Sequence, residues 1–190
     1  MAKTKVYLIQ SSLQSKKKKG VKMVDFTVKV IQEILKNVKE SEGYRKIDIK
    51  RAENKRFSEL TKKQQLTFFL MSGLWNEQLR NFQKEFLIKM MSIYLKQNCS
   101  GGQRFEDLLC GLYKNGTQTA RNKIGILLDE GFYDIEEFTY DVMKYIDAYC
   151  RNKNINVESL IYDVLNWKID RDICNRWMEA LLEKKECKGE

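Results

Sequence analysis

Two stretches of the chain concentrate side chains that could do chemistry. The first is "DEGFYDIEEFTYD", which sets Asp129, Glu130, Asp134, Glu136, Glu137 and Asp141 within thirteen residues. Carboxylates converging in this way hold the magnesium ions of nucleases. The same acids suit a plainer purpose. Asp134, Glu136 and Glu137 sit where a helix begins, and the positive end of the helix dipole favours negative charge there. That purpose needs no activity, so neither a metal nor a cofactor is expected. The second stretch is "YRKIDIKRAENKR", Tyr44 to Arg56, with six cations in thirteen residues. They form adjacent pairs five residues apart: Arg45–Lys46, Lys50–Arg51 and Lys55–Arg56. On a helix five residues turn through roughly 500°, a net rotation of about 140°. The pairs would then wind around the element, while Ile49, Ala52 and Leu60 keep a narrow inward stripe. A solvated helix more often intersperses acids four residues away for support. A winding, mostly uncompensated cationic surface fits polyanion on more than one side, or phosphate on one side and an acidic protein face on the other.

Missing residue types narrow the chemistry further. There is no histidine, which excludes Ser-His and Cys-His catalysis and di-iron centres built on Glu-x-x-His. The five cysteines, Cys99, Cys110, Cys150, Cys174 and Cys187, are odd in number and form no C-x-x-C pair. They read as reduced thiols of an intracellular protein, buried as small apolar residues. The loops "SGGQR" and "KNGTQT" lack the spacing of a phosphate-cradling loop. Trp75, Trp167 and Trp177 could stack on bases, but most of the aromatic residues lie on apolar stripes and read as core. The expectation is a protein without catalytic activity.

The elements that must position these residues are helical. The 190 residues are 43% apolar and 32% charged, with no proline. That is the balance of a globular protein, and no apolar run reaches the length of a bilayer span. A cytoplasmic protein with no membrane association is expected. The net charge of +9 is unevenly spread: 18 Lys/Arg against 7 Asp/Glu in residues 1–65, 8 against 4 in 66–128, and 9 against 15 in 129–190. A basic body with an acidic end suits a polyanion on one side and a basic protein neighbour on the other.

Apolar spacing reads as helix nearly throughout. Val24, Val28, Ile31, Leu35 and Val38 form one stripe. Thr61 with Gln64 looks like a capping box. From Glu77 to Gln97 two neighbouring stripes, Leu79, Phe82, Phe86, Met90, Ile93 and Leu87, Met91, Tyr94, mark a largely buried helix. "CSGGQ" breaks the pattern, after which Phe105, Leu108, Leu109 and Leu112 define a helix ending at Asn115–Gly116. Ala120, Ile124, Leu127 and Leu128 define the next, and beyond Gly131 the pattern is stronger still. Asp134, Asn156 and Asp170 each precede a further stripe as candidate caps. The expected fold is all-α, about eight or nine helices. A Lys-rich lead (1–22) is expected to be disordered, with Met23 an alternative start. A basic N-terminal part (23–100) and a compact C-terminal bundle (101–190) follow, divided near Gly101.

The stretch "NINVESLIYDVLNWKIDRDICNRWMEALL" resembles the end of the small helical subunit of type I-E CRISPR Cascade, the CasB family. The matching residues are Leu160, Asp163, Leu165, Trp167, Arg171, Arg176 and Trp177. "FEDLLCGLYKNGTQTARNKIGILLD" is similar to the family's central segment, with Arg121 and Lys123 in its basic part. "KEFLIKMMSIYLKQ" is similar to its long apolar helix, and Ile49, Lys50, Arg51 and Ala52 to its basic turn-helix. The family is usually richer in arginine and shorter, and segment 57–85 has no clear counterpart in it. The resemblance implies an all-helical, non-catalytic subunit, present as two head-to-tail copies beside the other Cascade subunits. It would touch guide RNA and target DNA through their backbones and help hold the opened strands. The residues expected to carry this are Lys50, Arg51, Lys55 and Arg56 in one patch and Arg121 and Lys123 in a second, with Arg45 and Arg171 alongside. Two other readings stay open: a small helical subunit of a type III CRISPR effector, and a helical adaptor whose basic half docks an acidic protein.

Overall fold

In the computed structural model the described residues are 26–74, 79–97, 102–150 and 153–182, excepting the side chains of 130, 132 and 133. The expected Lys-rich lead lies outside them, as do Val24, Trp75, Cys99 and Cys187. The described residues are all-α, with nine α-helices and one 3₁₀ turn. The chain divides at Lys96/Gln97 into two compact units.

The N-terminal unit holds α1 (Val28–Glu40), α2 (Gly43–Ala52), the 3₁₀ turn Phe57–Glu59, α3 (Lys62–Ser72) and α4 (Asn81–Gln97). Helix α1 begins where the Thr27 hydroxyl accepts the Val30 N–H, and it buries Ile31, Ile34, Leu35 and Val38. The expected stripe included Val28, which is instead 46% exposed. Val28 stands in the first turn, and Ile34 takes an inward place. The capping box of α3 forms in both directions: Thr61 Oγ1 accepts the Gln64 N–H and Gln64 Oε1 accepts the Thr61 N–H, each at 3.2 Å. The helix closes on Gly73 at φ 68°, whose N–H reaches the Phe69 carbonyl; glycine takes that left-handed conformation without a Cβ penalty. On α4 every residue from Phe82 to Ile93 is buried, so both expected stripes point inward. The polar residues between them are buried as well.

The C-terminal unit holds α5 (Phe105–Asn115), α6 (Gln118–Tyr133), α7 (Ile135–Tyr149), α8 (Val157–Asn166) and α9 (Arg171–Leu182). Asp134 caps α7 by accepting the Glu136 and Glu137 N–H groups, and Asn156 caps α8 through the Ser159 N–H. Asp170 accepts the Asp172 N–H at the start of α9. The core is aromatic: Phe138 and Trp177 flank Trp167 with ring centroids 4.5 and 4.9 Å away, and Phe105 lies 5.5 Å from Trp177. Gly131 lies inside α6. A Cβ there would stand 2.3 Å from Trp167 Nε1, so glycine at this point lets α6 approach the indole. Around the same core, Asp163 and Glu106 are buried carboxylates that share the Arg176 guanidinium, and Asp163 also accepts the Trp177 indole N–H. Burial pushes the Glu106 carboxyl above its usual range and the charge of Asp163 adds to this, while a hydrogen bond from its own backbone and the charges of Arg176 and Arg104 oppose it.

Cys150 and Cys174 are buried and Cys110 half-buried, all free. Burial raises the Cys150 thiol to about 11 against a smaller opposing effect of Lys153. No described helix is long and apolar enough to cross a membrane.

Candidate nucleic-acid interface

The six cations of "YRKIDIKRAENKR" do not share one helix. Helix α2 stops at Ala52, so Lys55 and Arg56 stand on the connector into the 3₁₀ turn, and only the first two pairs obey the helical rotation expected for all three. Tertiary anchoring of the connector accounts for the break.

The first pair is used internally. Arg45 donates from Nε to the Tyr44 hydroxyl at 3.2 Å, and its guanidinium lies 5.5 Å from that ring's centroid. Lys46 donates from Nζ to the carbonyl of Lys39 at 2.7 Å, in the last turn of α1. The second pair differs. Lys50 and Arg51 are exposed and, among the described residues, neither makes an ion pair or side-chain hydrogen bond. Both stand in the last turn of α2, where the carbonyl end of the dipole favours cations. Lys55 is likewise exposed and unpaired among the described residues. Arg56 is exposed but lies 3.6 Å from Glu85. The nearby acids are occupied: Asp48 is buried and pairs with Lys63 at 3.1 Å, and Glu53 pairs with Lys96. Between Gly43 and Arg56 no carboxylate is exposed.

Helix α4 fixes the connector. Glu85 accepts the Phe57 N–H at 2.8 Å, Lys89 donates to Asn54 Oδ1 at 3.2 Å, and Ser92 donates to Glu53 Oε2 at 2.8 Å. The Lys84 ammonium lies 4.6 Å from the Phe57 ring centroid, and burial lowers its pKa. These positioning residues were missed at the level of sequence. Their signal was there: Glu85, Lys89, Ser92 and Lys96 repeat at four, three and four along the helix, which places them on one face.

The expected second patch does not assemble on one surface. Arg121 is half-buried and donates to the carbonyls of Tyr113 and Lys114 at 2.8 and 3.2 Å, closing the turn from α5 into α6. Lys123 is exposed, but two residues on a helix lie about 200° apart, so it faces away from Arg121. Arg171 is exposed at the first position of α9, between Asp170 and Asp172. The other residues that carry the family resemblance, Leu160, Asp163, Leu165, Trp167 and Trp177, are buried, and Arg176 is held by Asp163 and Glu106. They build the core rather than a binding surface, and neither Trp167 nor Trp177 can reach a base.

The acidic stretch is similarly committed. Asp134 is the cap of α7, and Asp141 and Glu137 pair with Lys144. Among the described residues no three acidic or thiol side chains cluster closely enough to hold a metal. Comparison with known proteins gives no match: no family model, no curated protein and no solved structure is significantly similar to this chain.

Proposed function

We propose that the chain is a non-catalytic nucleic-acid-binding protein that neutralises phosphate backbones through the segment Lys50–Lys55. The observation that carries this is the contrast within one basic run. Arg45, Lys46 and Arg56 have partners in the protein, whereas Lys50 and Arg51 in the last turn of α2 and Lys55 on the connector that α4 braces are exposed and unpaired among the described residues. Cations held in place without counter-charges lower the cost of meeting phosphate, and each one placed on a phosphate releases a condensed counterion.

The finer reading is that of the small subunit of a type I-E Cascade guide-RNA complex, and it rests on the sequence resemblance. In that setting RNA–DNA pairing reads sequence, and this protein supplies positive charge that keeps the opened strands apart. The basic front and acidic rear of the chain suit head-to-tail copies among the other subunits, in the cytoplasm.

The test is to purify the tagged protein gently from its native cell and sequence the RNA that accompanies it. A uniform set of short RNAs built from repeat and spacer sequence, together with larger subunits, is the expected result. An acidic protein partner and no nucleic acid would overturn the reading in favour of the adaptor.

A further inference from the structure

On α2 the exposed side chains fall on one side of the helix. Taking Tyr44 as reference, Arg51 lies about 20°, Ile47 about 60° and Lys50 about 120° away in one direction, while the buried Asp48, Ala52 and Ile49 lie about 40°, 80° and 140° away in the other, so Tyr44 stands at the edge of the exposed arc. Tyr44 is 49% exposed and Ile47 50%. The face therefore carries an aromatic ring and an aliphatic side chain beside two cations that have no partner among the described residues. The two cations flank the aliphatic side chain on either side of the arc, and an apolar docking face would not carry uncompensated cations there.

We infer that this face of α2 is a stacking platform for single-stranded nucleic acid, with Tyr44 receiving a base and Lys50 and Arg51 receiving the flanking phosphates. This rests on the nucleic-acid reading above and adds to it a strand state and a base contact. A duplex hides its base faces, whereas an unpaired strand offers a π-face at every residue, so an exposed tyrosine among cations selects the single strand. The ring is held for the purpose. Arg45 binds its hydroxyl, and the Lys63 ammonium, itself anchored on buried Asp48, lies 5.8 Å from its centroid. Both cations lie over the ring, the Arg45 guanidinium 5.5 Å from its centroid, so a base stacking on Tyr44 displaces or adjoins a cation there. The charge of the face argues for nucleic acid over an apolar protein partner, because no acidic side chain between Gly43 and Arg56 is exposed to balance it.

The experiment measures binding of the full chain to a fluorescent oligothymidine of about 15 nucleotides, to a strand of equal length and charge without bases, and to a duplex. Tyr44→Ala is expected to weaken oligothymidine binding roughly tenfold, leave the baseless strand and the salt dependence unchanged, and spare the duplex; Tyr44→Phe should behave as the wild type. The platform is overturned if Tyr44→Ala binds oligothymidine as tightly as the wild type, if the wild type does not distinguish oligothymidine from the baseless strand, or if Tyr44→Ala weakens all three equally. In those cases the phosphate reading survives if Lys50→Glu/Arg51→Glu still lowers affinity. A wild-type protein that binds none of the three probes sinks both.

Discussion

The Trp177 indole N–H donates to Asp163 Oδ2 across 2.9 Å, and both residues are all but sealed from solvent. The other oxygen of the same carboxylate accepts from Arg176. One side chain thus ties the aromatic core to the buried ion cluster. Asp163→Ala would leave a buried indole N–H and a partly buried guanidinium short of a partner, and removing one member of a buried charge pair costs about 3–5 kcal/mol. Urea denaturation should report a loss of that size, and Trp177→Phe a smaller one of about 1–3 kcal/mol.

Glu106 gives the C-terminal unit a pH signature. Its folded-state pKa lies above the usual 4.5, mainly through burial. Between those two values the folded state binds more protons than the unfolded one, so this group's contribution to stability falls as pH rises through the window. Glu106→Gln removes the contribution. The difference in unfolding free energy between variant and wild type should therefore shift in the variant's favour as pH is raised upward from about 4.5. Urea midpoints at a series of pH values check this; a difference independent of pH would count against it.

Two glycines of α6 should respond oppositely to the same change. A Cβ at Gly131 would meet Trp167 Nε1 at 2.3 Å and Cε2 at 2.7 Å, whereas at Gly125 nothing lies within 4 Å. Gly125→Ala should stabilise by about 0.5–1 kcal/mol through helix propensity. Gly131→Ala should destabilise by about 1–3 kcal/mol by overpacking, despite the same propensity gain. Thermal melts compare the two directly, and near-ultraviolet circular dichroism should change only for Gly131→Ala.

The basic residues should separate by role. Lys50→Glu/Arg51→Glu is expected to weaken nucleic-acid binding and to lower the slope of log affinity against log salt by roughly one for each phosphate left unneutralised. The melting temperature should fall only slightly: neither side chain has a partner among the described residues to lose, and the reversed charges at the carbonyl end of α2 cost about 0.3–1 kcal/mol each. Arg121→Met should do the reverse, lowering stability by about 1 kcal/mol as the carbonyls of Tyr113 and Lys114 lose their donor, while leaving binding near normal.

Local signals were readable without the fold. Thr61, Asp134, Asn156 and Asp170 are caps because each answers N–H groups two or three residues away, an interaction the sequence carries whole. The buried breadth of α4 was legible from its doubled stripe. What stayed hidden depended on neighbours distant in sequence. Phe57 is turned out of helical continuation toward Glu85, 28 residues on, and nothing between Tyr44 and Arg56 announces that partner. Nothing near Gly131 announces that Trp167 lies against it. Arg121 and Lys123 look like one basic patch until the first is seen capping α5. For the candidate interface, the sequence marked the cations but could not sort the anchored ones from the free.

Helix α4 imposes a register on the whole basic segment. Glu85, Lys89, Ser92 and Lys96 meet Phe57, Asn54 and Glu53 in reverse order along the chain, so the helix serves as a ruler against which the connector is measured. A residue inserted between Glu85 and Ser92 would swing the remaining marks through about 100° and slide them about 1.5 Å, and no side-chain adjustment restores both. Over evolutionary time the length of α4 should therefore stay fixed between those positions, even as the cations at 50 and 51 exchange between lysine and arginine.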